Sequence, residues 1–156
     1  MSIYALWNNK GGVGKSYLTF QIASEYARTH PDRKVLVIDL CPQANSSVMF
    51  LGGMGPGDIA LDGLFDQVPR RTIAGYIEDR IRSPYVSPAT GATYLVRPRD
   101  HNRNIPQNLF LIAGDEQLEI QGSRVMGGYV SWPARRVAFG TYLGQRSDCR
   151  HSSILE

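Results

Sequence analysis

Residues Asn8-Asn9-Lys10-Gly11-Gly12-Val13-Gly14-Lys15-Ser16 constrain this chain more than any other stretch, because they form a glycine-rich loop that ends in a lysine and a hydroxyl. Glycines let successive backbone N–H groups turn inward around an anion. A lysine at position 15 reaches the β/γ-phosphates of a nucleotide, and a serine hydroxyl at position 16 ligates the metal ion that bridges them. Such a loop works only where a strand enters it and a helix leaves it. Both flanks read that way: Ile3-Tyr4-Ala5-Leu6-Trp7 is a short apolar run predicted as a buried strand, and Tyr17 to Arg28 carries Leu18, Ile22, Ala23 and Tyr26 at helical spacing.

A second segment fits the same frame at the distance expected of a βαβ unit. Lys34-Val35-Leu36-Val37-Ile38-Asp39 is a branched apolar run closed by a carboxylate, the pattern of a parallel strand buried on both faces. A carboxylate at the C-terminal edge of such a strand lies where doubly wound sheets bind their ligands, although Asp39 also reads as a strand-end helix cap. Further along, Ser46 to Leu51 and Ile59 to Phe65 read as short helices separated by a glycine-rich connection. Thr72 to Arg82 is a clearer helix with Ile73, Ile77 and Ile81 on one face. Ala92-Thr93-Tyr94-Leu95-Val96 and Asn108-Leu109-Phe110-Leu111-Ile112-Ala113 read as strands, and Arg97 to Asn104 as a solvated loop. Asp115 follows an apolar strand, which is the form of a Walker B carboxylate, but the residues after it read more simply as a helix that Asp115 caps.

The loop also departs from the common P-loop pattern, with Asn9 where a glycine is usual and an additional lysine at position 10. Lys10-Gly11-Gly12-Val13-Gly14-Lys15-Ser16 resembles the deviant Walker A motif of the ParA/MinD family of P-loop ATPases. Asp39 to Asn45 resembles that family's Asp-x-Asp-Pro-Gln-x-Asn switch segment, with Cys41 in place of the usual second aspartate, so position 41 receives no catalytic role. Asn108 to Asp115 resembles the strand before the Walker B region. The resemblance covers about residues 1–120 and is best for the ParA-type plasmid and chromosome partition ATPases.

That resemblance implies an α/β, P-loop NTPase-like fold: a mainly parallel sheet flanked by helices, with strands near residues 3–7, 34–39, 92–96 and 109–113. It implies ATP and Mg²⁺ held by Lys10, Gly11, Gly12, Val13, Gly14, Lys15 and Ser16. Ser16 and Asp39 stand on the metal side, and Asp39 positions or activates the attacking water. Gln43 to Asn45 respond to the γ-phosphate, and Lys10 reaches across a dimer interface to the partner's phosphates. The implied partners are a second copy of the chain on ATP binding, a ParB-like protein that stimulates slow hydrolysis, and nonspecific DNA. MinD-like relatives carry a C-terminal amphipathic membrane helix; Ser147 to Glu156 does not supply one, so no membrane partner is expected.

Length and charge bound the rest. At 156 residues the chain buries one core, yet complete ATPases of this family are longer, so the domain is expected to be incomplete. The net charge of +3 comes almost entirely from arginine without a dense basic block, so DNA binding does not follow from charge. Cys41 and Cys149 form no zinc or redox motif, and no signal peptide or membrane-length apolar run is present, which together suggest a cytoplasmic protein. After about Ile120 the family pattern stops. Residues 1–120 are therefore read as the N-terminal part of a ParA-like ATPase domain and residues 121–156 as a divergent tail, from truncation, a frame shift or ordinary C-terminal variation. The alternative to a working ATPase is a nucleotide-binding fragment or regulatory module without turnover. A bacterial tyrosine kinase would need a tyrosine-rich C-terminal cluster that the sequence lacks.

Overall fold

The computed structural model describes residues 2–8, 10–82 and 91–120. The chain leaves the glycine loop into α1 (Lys15–Thr29), turns through residues 30–34 and enters β1 (Val35–Ile38). Two short helices follow, α2 (Asn45–Phe50) and α3 (Pro56–Phe65), then α4 (Ile73–Arg82), two single 3₁₀ turns (Gly91–Tyr94 and Pro98–Asp100) and β2 (Leu109–Ile112). The strands pair in parallel, with Val35 opposite Leu109 and Ile38 opposite Ile112. Helices and a parallel pair agree with the α/β expectation, on a sheet of two strands among the described residues.

Apolar periodicity places the core where α1, α2 and α3 meet one face of this sheet. Phe50, Leu51, Leu109 and Leu111 are fully buried there together with Val37, Leu61 and Leu64. Phe20 of α1 packs on Phe50 with ring centroids 5.0 Å apart. Burying each such side chain contributes roughly 1.5–3 kcal/mol. The face of α1 that turns inward is Phe20, Ala23 and Ala27, whereas Leu18, Ile22 and Tyr26, at the expected helical spacing, remain exposed.

A single amide fixes the join between α1 and the sheet. Asn108 Nδ2 donates to the carbonyls of Ala27 (2.9 Å), His30 (3.0 Å) and Arg33 (2.7 Å), while the Asn108 carbonyl accepts the Val35 N–H at 2.9 Å. The last turn of α1 and the first residues of both strands are thereby held together. Because the chain reverses there, the N-terminus of α1 lies toward the opposite sheet edge, the one where β1 and β2 end.

Two expected strands are not formed. Residues 3–7 make no strand, and Ile3, Tyr4, Leu6 and Trp7 stand in solvent, Tyr4 88% exposed. A strand exists only where its N–H and C=O groups meet a neighbour. β2 occupies one edge of β1, and no strand pairs with the other edge among the described residues. In place of the expected strand over residues 92–96, Gly91–Tyr94 form a 3₁₀ turn, with Leu95 N–H on the Ala92 carbonyl, and only Val96 reaches the sheet, as an antiparallel bridge to Leu111. Arg71 explains the difference: its guanidinium donates to the carbonyls of Thr93 (2.9 Å) and Leu95 (2.7 Å), the groups a neighbouring strand would need. Tyr94 turns inward, 2% exposed, its hydroxyl on Asp79 and its ring edge-on to Tyr76. Burial, aided by Asp79, pushes that hydroxyl up from its ordinary value, so it stays a neutral donor.

Residues 83–90 and 121–156, the latter the expected divergent tail, lie outside the described residues.

Candidate nucleotide-binding site

The glycine loop sits directly on the N-terminus of α1. Gly12 (φ 72°) and Gly14 (φ 82°) hold the left-handed conformation that bends the loop, and an added Cβ would meet nothing at either position, so conformation rather than space requires glycine. Gly14 is the N-cap and offers no side-chain hydrogen bond to the first turn of a fifteen-residue helix. Its N–H donors and the positive end of the helix dipole are therefore presented to the loop, the arrangement that binds phosphate. Lys15 curls back over the loop, donating from Nζ to the Lys10 carbonyl at 2.9 Å. Lys15 and Ser16 are half-buried, while Lys10, Gly11, Gly12, Val13 and Gly14 are exposed. Lys10 N–H donates to Asn8 Oδ1 at 2.8 Å, which shapes the entry to the loop. The donor set suits a triphosphate and a hard divalent cation: the free N–H groups of the first turn of α1, one ammonium and one hydroxyl.

Asp39 ends β1 on the same sheet edge and is buried, 6% exposed. Its Oδ2 accepts the backbone N–H of Ser47 (3.0 Å) and the Ser47 hydroxyl (2.8 Å), and its Oδ1 accepts the Cys41 N–H (3.1 Å). The carboxylate thus folds residues 40–47 around itself and caps α2 from outside the helix. Among the described residues no hydrogen bond or ion pair joins Asp39 to Lys10, Lys15 or Ser16. Gln43 and Asn45 are exposed and bonded to each other at 3.2 Å. Cys41 is a free thiol, half-buried.

Asp115 is committed elsewhere. Its side chain is fully buried and receives the Arg70 guanidinium through two bonds, Nε to Oδ2 at 2.9 Å and Nη2 to Oδ1 at 3.0 Å. The Thr72 hydroxyl adds a third at 2.7 Å, and the Gln117 N–H a fourth at 3.0 Å. The last of these is the helix cap read from the sequence; the four bonds together leave no acceptor position for a metal.

A family model described as an AAA domain matches residues 1–86. The chain belongs to the AAA domain family. The match supports a P-loop NTPase-like domain of ParA/MinD type, a class that in general binds a nucleotide with a metal ion. It spans the loop, α1, β1 and the Asp39 segment of this AAA domain and ends before β2. No curated protein and no solved structure matches the chain.

Sequence reasoning missed Ser47, Arg70 and Thr72 at the site edge, and Asn108 at the opposite end of the sheet. Ser47 was legible in principle, as a hydroxyl in the first turn of a helix just after a strand-end carboxylate. Arg70 was not, being 45 residues from its partner. Among the described residues of this AAA domain no group of His, Cys, Asp and Glu is placed to hold a metal by itself, and no helix is long and apolar enough to cross a membrane. His30 is half-buried at the end of α1, and His101 is exposed.

Proposed function

We propose that this AAA domain binds Mg²⁺·ATP at the 10–16 loop and works as a ParA-like partition ATPase, dimerising on ATP and hydrolysing it slowly under a stimulatory partner during plasmid or chromosome segregation. The observation that carries the reading is the loop on α1: two left-handed glycines, an uncapped helix N-terminus and Lys15 folded back over the loop. In this reading backbone N–H groups of Gly11 to Ser16 bind the phosphates, Lys15 neutralises the β/γ oxygens and Ser16 ligates the metal. Asp39 orients water on the metal side, and Lys10 serves the phosphates of a second copy. A ParB-like protein supplies the stimulation, and nonspecific DNA is the surface on which the dimer acts.

Lys15→Ala tests the site. Calorimetric titration with ATP is expected to show binding to the wild type and none to the variant, because the only ammonium folded over the loop is gone. Equal affinity in both would overturn the assignment.

A second reading, a nucleotide-binding module without turnover, is favoured by Asp115. The first carboxylate after β2, Asp115, is sealed by Arg70, Thr72 and the Gln117 N–H, so it gives the metal no further hold. ATP binding with no phosphate release, alone or mixed with a full-length relative, is its signature.

A further inference from the structure

The geometry points to Ser47 as a positioning residue that sets the Asp39 carboxylate for a hydrated Mg²⁺, an inference resting on the nucleotide-binding reading above. Ser47 is fully buried, and its hydroxyl has two partners: Asp39 Oδ2 at 2.8 Å and the Gly114 N–H at 2.9 Å. An amide N–H only donates. The hydroxyl must therefore accept from Gly114 and give its one proton to Asp39, which fixes the rotor without ambiguity. The Ser47 N–H lies on the same Oδ2, and the Cys41 N–H on Oδ1. A carboxylate offers about four acceptor positions, and three are filled, so one remains, on Oδ1. Ser47 thus decides which oxygen of Asp39 is spent inside the protein and which is left to receive a proton of metal-bound water.

The anchor for this arrangement is the exit of β2. A Cβ on Gly114 would come within 2.6 Å of the Cys41 carbonyl and 3.1 Å of Ala44, so backbone touches backbone between β2 and the 40–47 segment. The Ser47 hydroxyl is the hydrogen bond that ties the two together while holding the carboxylate. Groups that orient a metal's surroundings in this way typically contribute a factor of about 10–100 to its affinity or activity.

The experiment measures ATP affinity of the full chain by calorimetry with Mg²⁺ and with EDTA, for wild type, Ser47→Ala, Asp39→Asn and the double variant, with thermal melts on each. The wild type should gain affinity with Mg²⁺. Ser47→Ala should lose about tenfold of that gain while its Mg²⁺-free affinity stays the same. Once Asp39→Asn is in place, adding Ser47→Ala should change the Mg²⁺ gain no further. An undiminished gain in a folded Ser47→Ala protein overturns the inference. So does an equal loss with and without Mg²⁺, or a loss that adds to that of Asp39→Asn. If Ser47→Ala does not fold, Ser47→Thr decides: keeping the hydroxyl should keep the Mg²⁺ gain, and a folded threonine variant without it refutes the role. Failure of the wild type to bind ATP at all is a different result, for it removes the nucleotide-binding reading itself and this inference with it.

Discussion

Replacing Arg70 by methionine tests whether the buried Asp115 depends on its ion pair. The substitution keeps most of the unbranched stem, which lies beside Phe65 with the guanidinium carbon 4.7 Å from the ring centroid, and removes two charge-assisted hydrogen bonds from a carboxylate whose side chain is fully buried. Breaking a buried pair by deleting one partner costs about 3–5 kcal/mol, because the remaining charge is stranded. Arg70 is 24% exposed, so water can enter from its side, and the Thr72 and Gln117 donors stay in place. The expectation is therefore the lower end, about 3 kcal/mol, a large part of the roughly 5–15 kcal/mol that holds a domain together. Urea unfolding followed by far-UV circular dichroism, extrapolated linearly to water, measures it. Adding Asp115→Asn should return about 1–2 kcal/mol, since the neutral amide keeps an oxygen for the Gln117 N–H and leaves no stranded charge. A single Arg70→Met variant within about 1 kcal/mol of wild type would show that the pair is not what supports Asp115.

Asn108→Ala strips one donor group from three carbonyls in the last turn of α1 and the turn that follows it, one of them on the buried Ala27, and should cost about 1–3 kcal/mol in the same unfolding assay; no loss would mean that water replaces the amide freely. Gly114→Ala should destabilise by about 1–3 kcal/mol because its Cβ meets the Cys41 carbonyl, which is backbone and cannot swing aside, whereas Gly63→Ala, inside α3 with open space around it, should stabilise by about 0.8–1 kcal/mol. In thermal melts, a Gly114→Ala protein that melts no lower than wild type would refute the first argument, and a Gly63→Ala protein that melts no higher would refute the second. Lys10→Ala should spare ATP binding and abolish ATP-dependent dimerisation, read by light scattering with and without ATP; equal dimerisation in wild type and variant would refute a role for Lys10 across the interface.

The parts legible in the sequence are those that local pattern determines. The glycine loop requires positive φ at Gly12 and Gly14 whatever surrounds it, and Val35–Ile38 and Leu109–Ile112 are apolar runs of strand length that pair as strands. Ile3 to Trp7 carries the same local signal and forms no strand, although one edge of β1 has no strand on it among the described residues; no five-residue window reveals whether a segment finds its pairing partner. Tyr94 and its neighbours fail for a related reason: β-prone side chains are outweighed by a guanidinium from Arg71 that takes the carbonyls first. In the site, Asp39 is legible as a strand-end carboxylate, but the division of its oxygens depends on Ser47 and Gly114, brought together from 67 residues apart.

The parallel pairing of β1 with β2 also dictates an order of events during synthesis. The two strands lie roughly seventy residues apart in sequence, so loop-closure entropy delays their contact relative to the local packing of α2 on α3. On a ribosome the glycine loop, α1 and β1 emerge long before Leu109 does, and β1 must wait without its neighbour while Val37, buried in the finished fold, still lacks the cover of β2. The Asn108 amide arrives at the same moment as β2, so the clasp on α1 and the sheet close together. Nascent chains halted before residue 108 should thus be far more sensitive to protease across residues 27–40 than chains released after residue 115.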